Sequence, residues 1–169
     1  LIFTNLTLES STDIIFTPSD VSFIGKLKDE NGNVVANVPI TIFKDDVEFL
    51  NLTTNNNGEI SFNLTINNPG VTSMVAKYAG SETYYANSSN VVNVIYINEY
   101  NFYALSLLIA GSSEGSIVTL PGDFIFNPAI DNEFINGINI TKDIIIDGNG
   151  YTISGNNTSS LFNIIGKNV

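Results

Sequence analysis

The 169-residue sequence has no cysteine, histidine, tryptophan, arginine or glutamine. Without a thiol or an imidazole there is no disulfide, no thiolate nucleophile, no Ser–His or Cys–His pair and no ordinary zinc or copper site. Charge is scarce as well, at 14% of residues against about 25% in an ordinary soluble domain. It is also one-sided: six lysines face seventeen carboxylates, for a net charge of -11. A field of that sign repels phosphate backbones and anionic lipid headgroups, which argues against a nucleic-acid partner. The longest apolar run, Phe102 to Ala110 with Ser106 inside it, is too short to cross a bilayer, so no direct membrane insertion is expected. No basic-then-apolar leader opens the chain, which begins abruptly at Leu1 and reads as a piece of something longer.

What is present is a folding chain: 43% hydrophobic residues and a mean hydropathy of +0.17 can bury a core. In the first hundred residues apolar positions recur with period two. Ile60, Phe62, Leu64 and Ile66 alternate with Ser61, Asn63 and Thr65, and Val38, Ile40 and Ile42 with Pro39, Thr41 and Phe43. Val21, Phe23 and Leu27 repeat the pattern with Ile24 on the opposite face. Further strands are expected at Ile2 to Leu8, Val47 to Thr53, Thr72 to Tyr78 and Val91 to Ile97. Asn- and Gly-rich turns, Glu30-Asn31-Gly32-Asn33 and Asn55-Asn56-Asn57-Gly58, lie between them, where positive φ is cheap. Turn signals roughly every 8–12 residues predict an antiparallel sandwich of about seven strands over residues 1–98.

After residue 98 the pattern changes. Phe102, Leu105, Leu108 and Ile109 fall on one face of a helix that Gly111 ends. Very short strands follow: Ile117 to Leu120, Asp123 to Phe126, Ile138 to Ile140, Asp143 to Asp147, Tyr151 to Ser154 and Leu161 to Ile165. The spacings Val118 to Ile145 (27 residues) and Ile145 to Val169 (24 residues) match the length of one coil of a parallel β-helix.

Two resemblances attach to these residues. Gly25 to Ile42 with a D-x-N-G-x-x-V hairpin, Thr54 to Phe62 with T-x-x-x-G-x-x-x-F, and Ala76 to Ser88 with Y-x-G-S-x-x-Y resemble, in that order, bacterial Ig-like repeat domains. The Leu105–Ile109 helix, Gly115 to Leu120, Phe134 to Lys142 and Asp143 to Ile153 resemble the N-terminal cap and first coils of right-handed parallel β-helices. The proteins concerned are adhesin-like surface proteins of methanogenic archaea, and Ile146-Asp-Gly-Asn-Gly-Tyr-Thr-Ile153 is the most distinctive phrase. The resemblance implies an all-β chain: an Ig-like sandwich over residues 1–98, then a helix-capped β-helix start over residues 99–169. It implies a secreted, wall-associated protein that attaches to other cells, surface glycans or proteins. The alternative it leaves open is an accessory region of a β-helix carbohydrate-active enzyme whose catalytic coils lie beyond residue 169.

Within the sequence the chemistry-bearing groups are few. Asp147-Gly148-Asn149-Gly150 lacks the further Gly of a dinucleotide loop and the Lys-Ser/Thr of a P-loop, and reads as a turn. Asp123, Asp131, Glu133, Asp143 and Asp147 have the oxygens for a glycosidase pair or a Ca²⁺ site. No Arg or His stands beside them, so they read as solvated surface carboxylates, and no enzyme activity, cofactor or metal is expected. Lys26, Lys44 and Lys77 are candidates for a Lys–Asn isopeptide but read as solvated strand-flanking charges. Among the aromatics, Tyr78 and Tyr96 are expected in the sandwich core. Tyr100, Phe102 and Tyr103 are expected to fill a packed junction between the domains; these five, together with Tyr84 and Tyr85, are also the candidates for a carbohydrate-stacking platform, against which the absence of tryptophan argues. Seven N-glycosylation sequons begin at Asn5, Asn51, Asn63, Asn87, Asn139, Asn156 and Asn157. With 25 Asn and 30 Ser plus Thr, chance gives about four, so the excess is modest; Asn63 is the best-placed surface candidate.

Overall fold

The computed structural model describes residues 1–166 and divides into two compact units, Leu1–Tyr96 and Ile97–Val169.

The first unit is built from nine strands: β1 (Thr4–Ser10), β2 (Ile14–Ile15), β3 (Ser19–Asp29), β4 (Pro39–Lys44), β5 (Val47–Thr53), β6 (Glu59–Ile66), β7 (Gly70–Tyr78), β8 (Asn87–Ser88) and β9 (Val92–Tyr96). One sheet has the order β1-β3-β6, the other β2-β9-β7-β4-β5, with β8 added to β7. All pairings are antiparallel except β2 with β9, where Ile14 lies against Ile95 and Ile15 against Tyr96 in parallel. The period-two patterns do the sorting. Val21, Phe23 and Leu27 of β3 and Ile60, Leu64 and Ile66 of β6 face Ile40, Ile42, Met74, Ala76 and Val94 of the other sheet in one buried cluster. Ile24, out of phase, is 57% exposed. The rings of Phe23 and Phe62 stack at 5.0 Å. Both two-residue strands escape the sequence pattern, because two residues show no period.

The three sequence motifs of this unit are turns held by side chains. Asp29 accepts from Asn31 N and Asn33 N at 2.9 Å and from Asn33 Nδ2 at 3.0 Å, around Gly32 at φ +84°. Buried Thr54 donates to Val35 O (3.0 Å) and accepts from Val38 N (3.1 Å). Four residues on, Gly58 sits at φ +72° with no room for a Cβ, which would lie 2.6 Å from Leu27 O. Ser81 Oγ accepts from Thr83 N and Tyr84 N, both at 3.1 Å.

The second unit opens with α1 (Phe102–Gly111), followed by β10 (Ile117–Thr119), β11 (Phe124–Ile125), β12 (Ile138–Ile140), β13 (Ile145–Asp147), β14 (Ile153–Ser154) and β15 (Phe162–Ile164). The strands pair in parallel two by two: β10 with β13, β11 with β14, β12 with β15. Residues 138–140 thus lie beside residues 162–164, and Val118 lies beside Ile146, one place on from the Ile145 that the spacing suggested. Val169 lies outside the described residues. Val118 of β10, Phe124 of β11, Ile138 and Ile140 of β12, and Phe126 just after β11 are buried, none more than 7% exposed. The register partners of Val118, Phe124, Ile138 and Ile140 in β13, β14 and β15 are more open: Ile146, Ile153 and Phe162 are half-buried, and Ile164 is 52% exposed.

Candidate functional site

The acidic residues of the second unit do not converge on one place. Among the described residues no three Asp or Glu side chains come together in a set able to hold a cation. Asp123 accepts from Thr152 N (2.8 Å), tying β11 to the approach of β14. Asp147 accepts from Asn149 N (2.9 Å), and Tyr151 N donates to Gly148 O (2.7 Å). With Asn149 at φ +48° and Gly150 at φ +84°, the Asp-Gly-Asn-Gly segment is a turn, and Gly148 itself does not use positive φ.

Asp131 corrects the sequence reading. Expected on the solvated surface, it is completely buried. Its carboxylate accepts from Phe102 N (3.0 Å), Tyr103 N (2.9 Å) and Asn127 N (2.8 Å). Phe102 and Tyr103 are the first two residues of α1, whose amides have no acceptor within the helix. Asn101 caps the same end through Ala104 N (2.9 Å). At the other end Lys142 Nζ donates to Ala110 O (2.9 Å) and Ser112 O (2.7 Å), a cation on the last carbonyls. The helix is therefore fastened at both ends by residues of the β11–β12 connection and the segment after β12. Its underside, Phe102, Ala104, Leu105 and Ile109, is buried, and Phe102 meets Phe126 edge-on at 5.5 Å. Leu108, expected on that face, is only half-buried.

The three candidate lysines are engaged in other ways than an isopeptide. Lys26 pairs with Glu59 at 2.8 Å, both side chains about a third or more exposed. Lys44 reaches Asp45 at 3.7 Å, and Lys77 lies 4.2 Å above the Phe43 ring. That ammonium occupies a ring face in the open groove of about 620 Å³ along Pro39, Thr41, Phe43 and Lys77. Lys26 holds the Glu59 carboxyl below its usual range, first by hydrogen bond and then by charge. The Asn33 side chain, reinforced by backbone amides, does the same for Asp29.

The aromatics also divide. Tyr78 and Tyr96 lie in the sandwich core. Tyr85 stacks on Phe3 at 4.7 Å, both exposed, and Tyr84 is half-buried. Phe102 is fully buried, while Tyr100 and Tyr103 are 39% and 42% exposed.

Of the seven sequon asparagines, Asn5, Asn51, Asn63, Asn139, Asn156 and Asn157 are exposed and Asn87 is half-buried. Asn63 accepts from Ser22 Oγ (2.8 Å), Asn51 from Thr41 Oγ1 (2.7 Å), and Asn139 from Asn163 Nδ2 (2.9 Å). Asn87 is engaged differently: its Oδ1 accepts from Leu6 N (3.0 Å). Asn90, outside any sequon, accepts from Leu8 N (3.1 Å) and donates to Leu8 O (2.9 Å). The sequence carried no signal for the bonds of these two residues, since an asparagine bridging to a distant strand looks like any turn asparagine.

No family model matches the sequence, and no curated protein matches it. Among solved structures, the chain is similar to a CARDB domain from Pyrococcus furiosus in solution, with 16% identity over 59% of this chain and 100% of that chain, at a TM-score of 0.43. A crystal structure described as that domain in complex with di-metal ions gives 12% identity, 57% and 94% coverage and a TM-score of 0.42. The D00-D0 domain of intimin gives 18% identity over 56% of this chain and 48% of that chain, at a TM-score of 0.42; the chain spans about half the length of that intimin fragment.

Proposed function

We propose that the chain is a non-catalytic segment of an extracellular, cell-surface protein of the adhesin-like kind. In this reading an Ig-like sandwich acts as a spacer, and the second unit is the capped first turn of a parallel β-solenoid that displays an attachment surface. The observation that carries it is the set of three parallel strand pairs. Asn139 and Asn163 are 24 residues apart and Asp123 and Thr152 are 29 apart, so each pair repeats at about one coil length. The helix fastened by Asp131 and Lys142 serves as the cap, and the second round offers its strand edges to a further coil. The acidic, lysine-poor surface favours solubility outside the cell. Attachment is to other cells through surface glycans or proteins, and surface asparagines such as Asn63 carry glycans.

The test is accessibility in the source cells. Antibodies raised against the purified chain label intact, unpermeabilised cells, and mild protease treatment removes the label. Labelling that needs permeabilised cells refutes the reading. Binding of fluorescent beads coated with the chain to intact cells then measures attachment, with beads carrying an unrelated acidic β-sandwich as the reference.

A further inference from the structure

In the first unit the beginning of the chain lies along its end, and the bonds between them form a line. Ile2 N donates to Thr83 O and Tyr85 N to Ile2 O, both at 2.9 Å. Thr4 Oγ1 donates to Tyr85 O at 3.0 Å, and Phe3 stacks on Tyr85. Leu6 N then meets Asn87, and Leu8 N and O meet Asn90. Ile95 N donates to Asp13 O at 2.9 Å, and β2 closes the line in parallel on β9. Residue numbers rise together on both sides, so the seam is parallel throughout. Where the two backbones are not joined to each other directly, Asn87 and Asn90 supply amide groups in place of a strand; Asn90 satisfies both backbone groups of Leu8, as a neighbouring peptide would. The seam also covers the outer edge of β1, which would otherwise stand open to foreign strands.

We infer that this seam is the force-bearing lock of the sandwich, an inference resting on the proposed role as a surface spacer. Tension on a tether enters the unit at Leu1 and leaves at Tyr96. Because the two sides run parallel, that load pulls them in opposite directions along their common axis. The bonds then share the force and must shear together. In an antiparallel pair loaded at adjacent ends they would break in succession. Resistance to force is set by the unfolding rate and not by equilibrium stability, so a few asparagine bonds in the line of load outweigh larger contributions elsewhere.

The experiment pulls the whole 169-residue chain by handles at its two ends, at constant force. The sandwich is recognised as the unit with the larger length gain on rupture, having more residues to extend at about 3.3–3.6 Å each. The double variant Asn87→Ala/Asn90→Ala is compared with a core variant off the seam, Ile60→Val or, if needed, Leu64→Val, chosen for an equal loss of denaturant stability. The seam variant shortens the sandwich lifetime under force at least about tenfold, and the core variant changes it less than about threefold. Equal shortening by both, or no shortening by the seam variant, overturns the inference. If the double variant does not fold, Asn90→Asp, which keeps the acceptor for Leu8 N and loses the donor to Leu8 O, gives the same comparison. A weak seam in a chain found on intact cells refutes the lock alone; a strong seam in a chain absent from the surface supports the lock and refutes the spacer role.

Discussion

Replacing Asp131 should unfasten the second unit while leaving the first intact. The carboxylate is wholly buried and accepts three amide hydrogens at 2.8–3.0 Å. Hydrogen bonds to a charged group contribute about 1.5–3 kcal/mol each, and a negative charge at a helix N-terminus adds about 0.3–1 kcal/mol. These contributions are not additive, and water entering the space left by an alanine recovers part of them. Asp131→Ala is therefore expected to cost the second unit about 3–5 kcal/mol, since it leaves three amide donors to find other partners at about 1–3 kcal/mol each. Asp131→Asn keeps one oxygen but turns an NH₂ group towards an amide donor, and is expected to cost about 2–3 kcal/mol. A chain of two units need not unfold in one step, so the assay is native-state hydrogen exchange read amide by amide. Protection falls at Phe102, Tyr103 and Asn127 and through β10–β15, while Leu27 and the other protected amides of the sandwich stay unchanged. Asp147→Asn, which alters an exposed carboxylate that accepts from Asn149 N in a turn, serves as the control and moves neither unit by more than about 0.5 kcal/mol. Wild-type protection in Asp131→Asn, or an equal loss in both units, would refute the reasoning.

Three further outcomes follow from the first unit. Tyr78 Oη is buried without a hydrogen-bond partner, so Tyr78→Phe should leave stability in urea unchanged or raise it by up to about 1 kcal/mol; a loss of more than about 1 kcal/mol would mean the hydroxyl has an ordered partner. Gly58→Ala forces a Cβ against Leu27 O at positive φ and should cost about 2 kcal/mol or more, visible as a lower urea midpoint, whereas alanine at Gly32, where nothing lies within 4 Å, meets only the φ penalty. Asp29 and Glu59 both have lowered folded-state pKa values. Their stabilising contribution is thus fully present at neutral pH, begins to fall as pH drops through the ordinary carboxylate range near about 4 and is lost below the folded values. In Asp29→Asn/Glu59→Gln the acid-induced fall of the urea midpoint should be shallower than in the wild type; an unchanged slope would assign acid sensitivity to other groups.

The alternation of apolar and polar residues made β3, β4 and β6 legible, because a half-buried strand writes its two faces into every second residue, and apolar segments between turn residues located β1, β5, β7 and β9. Short apolar runs set between glycines located the strands of the second unit, and the helical spacing of Phe102, Leu105 and Ile109 placed its helix. The Asp-Gly-Asn-Gly turn was legible from glycine and asparagine alone. The parallel register was nearly so, missing by one position between Val118 and its true partner Ile146, since short aliphatic runs such as Ile144-Ile145-Ile146 score equally well in adjacent registers.

Residue identities and their near neighbours were enough to establish a chain built of strands, the absence of thiol, imidazole and guanidinium chemistry, and the turns. None of these depends on anything more than a few positions away. The folded molecule was needed to show that Asp131 is a buried fastener and not a surface charge, and that Asn87 and Asn90 complete a seam. Their partners lie 28, 81 and 82 residues away. A side chain's burial and bonding depend on what the folded chain brings against it, and residue type records only what it is able to bond.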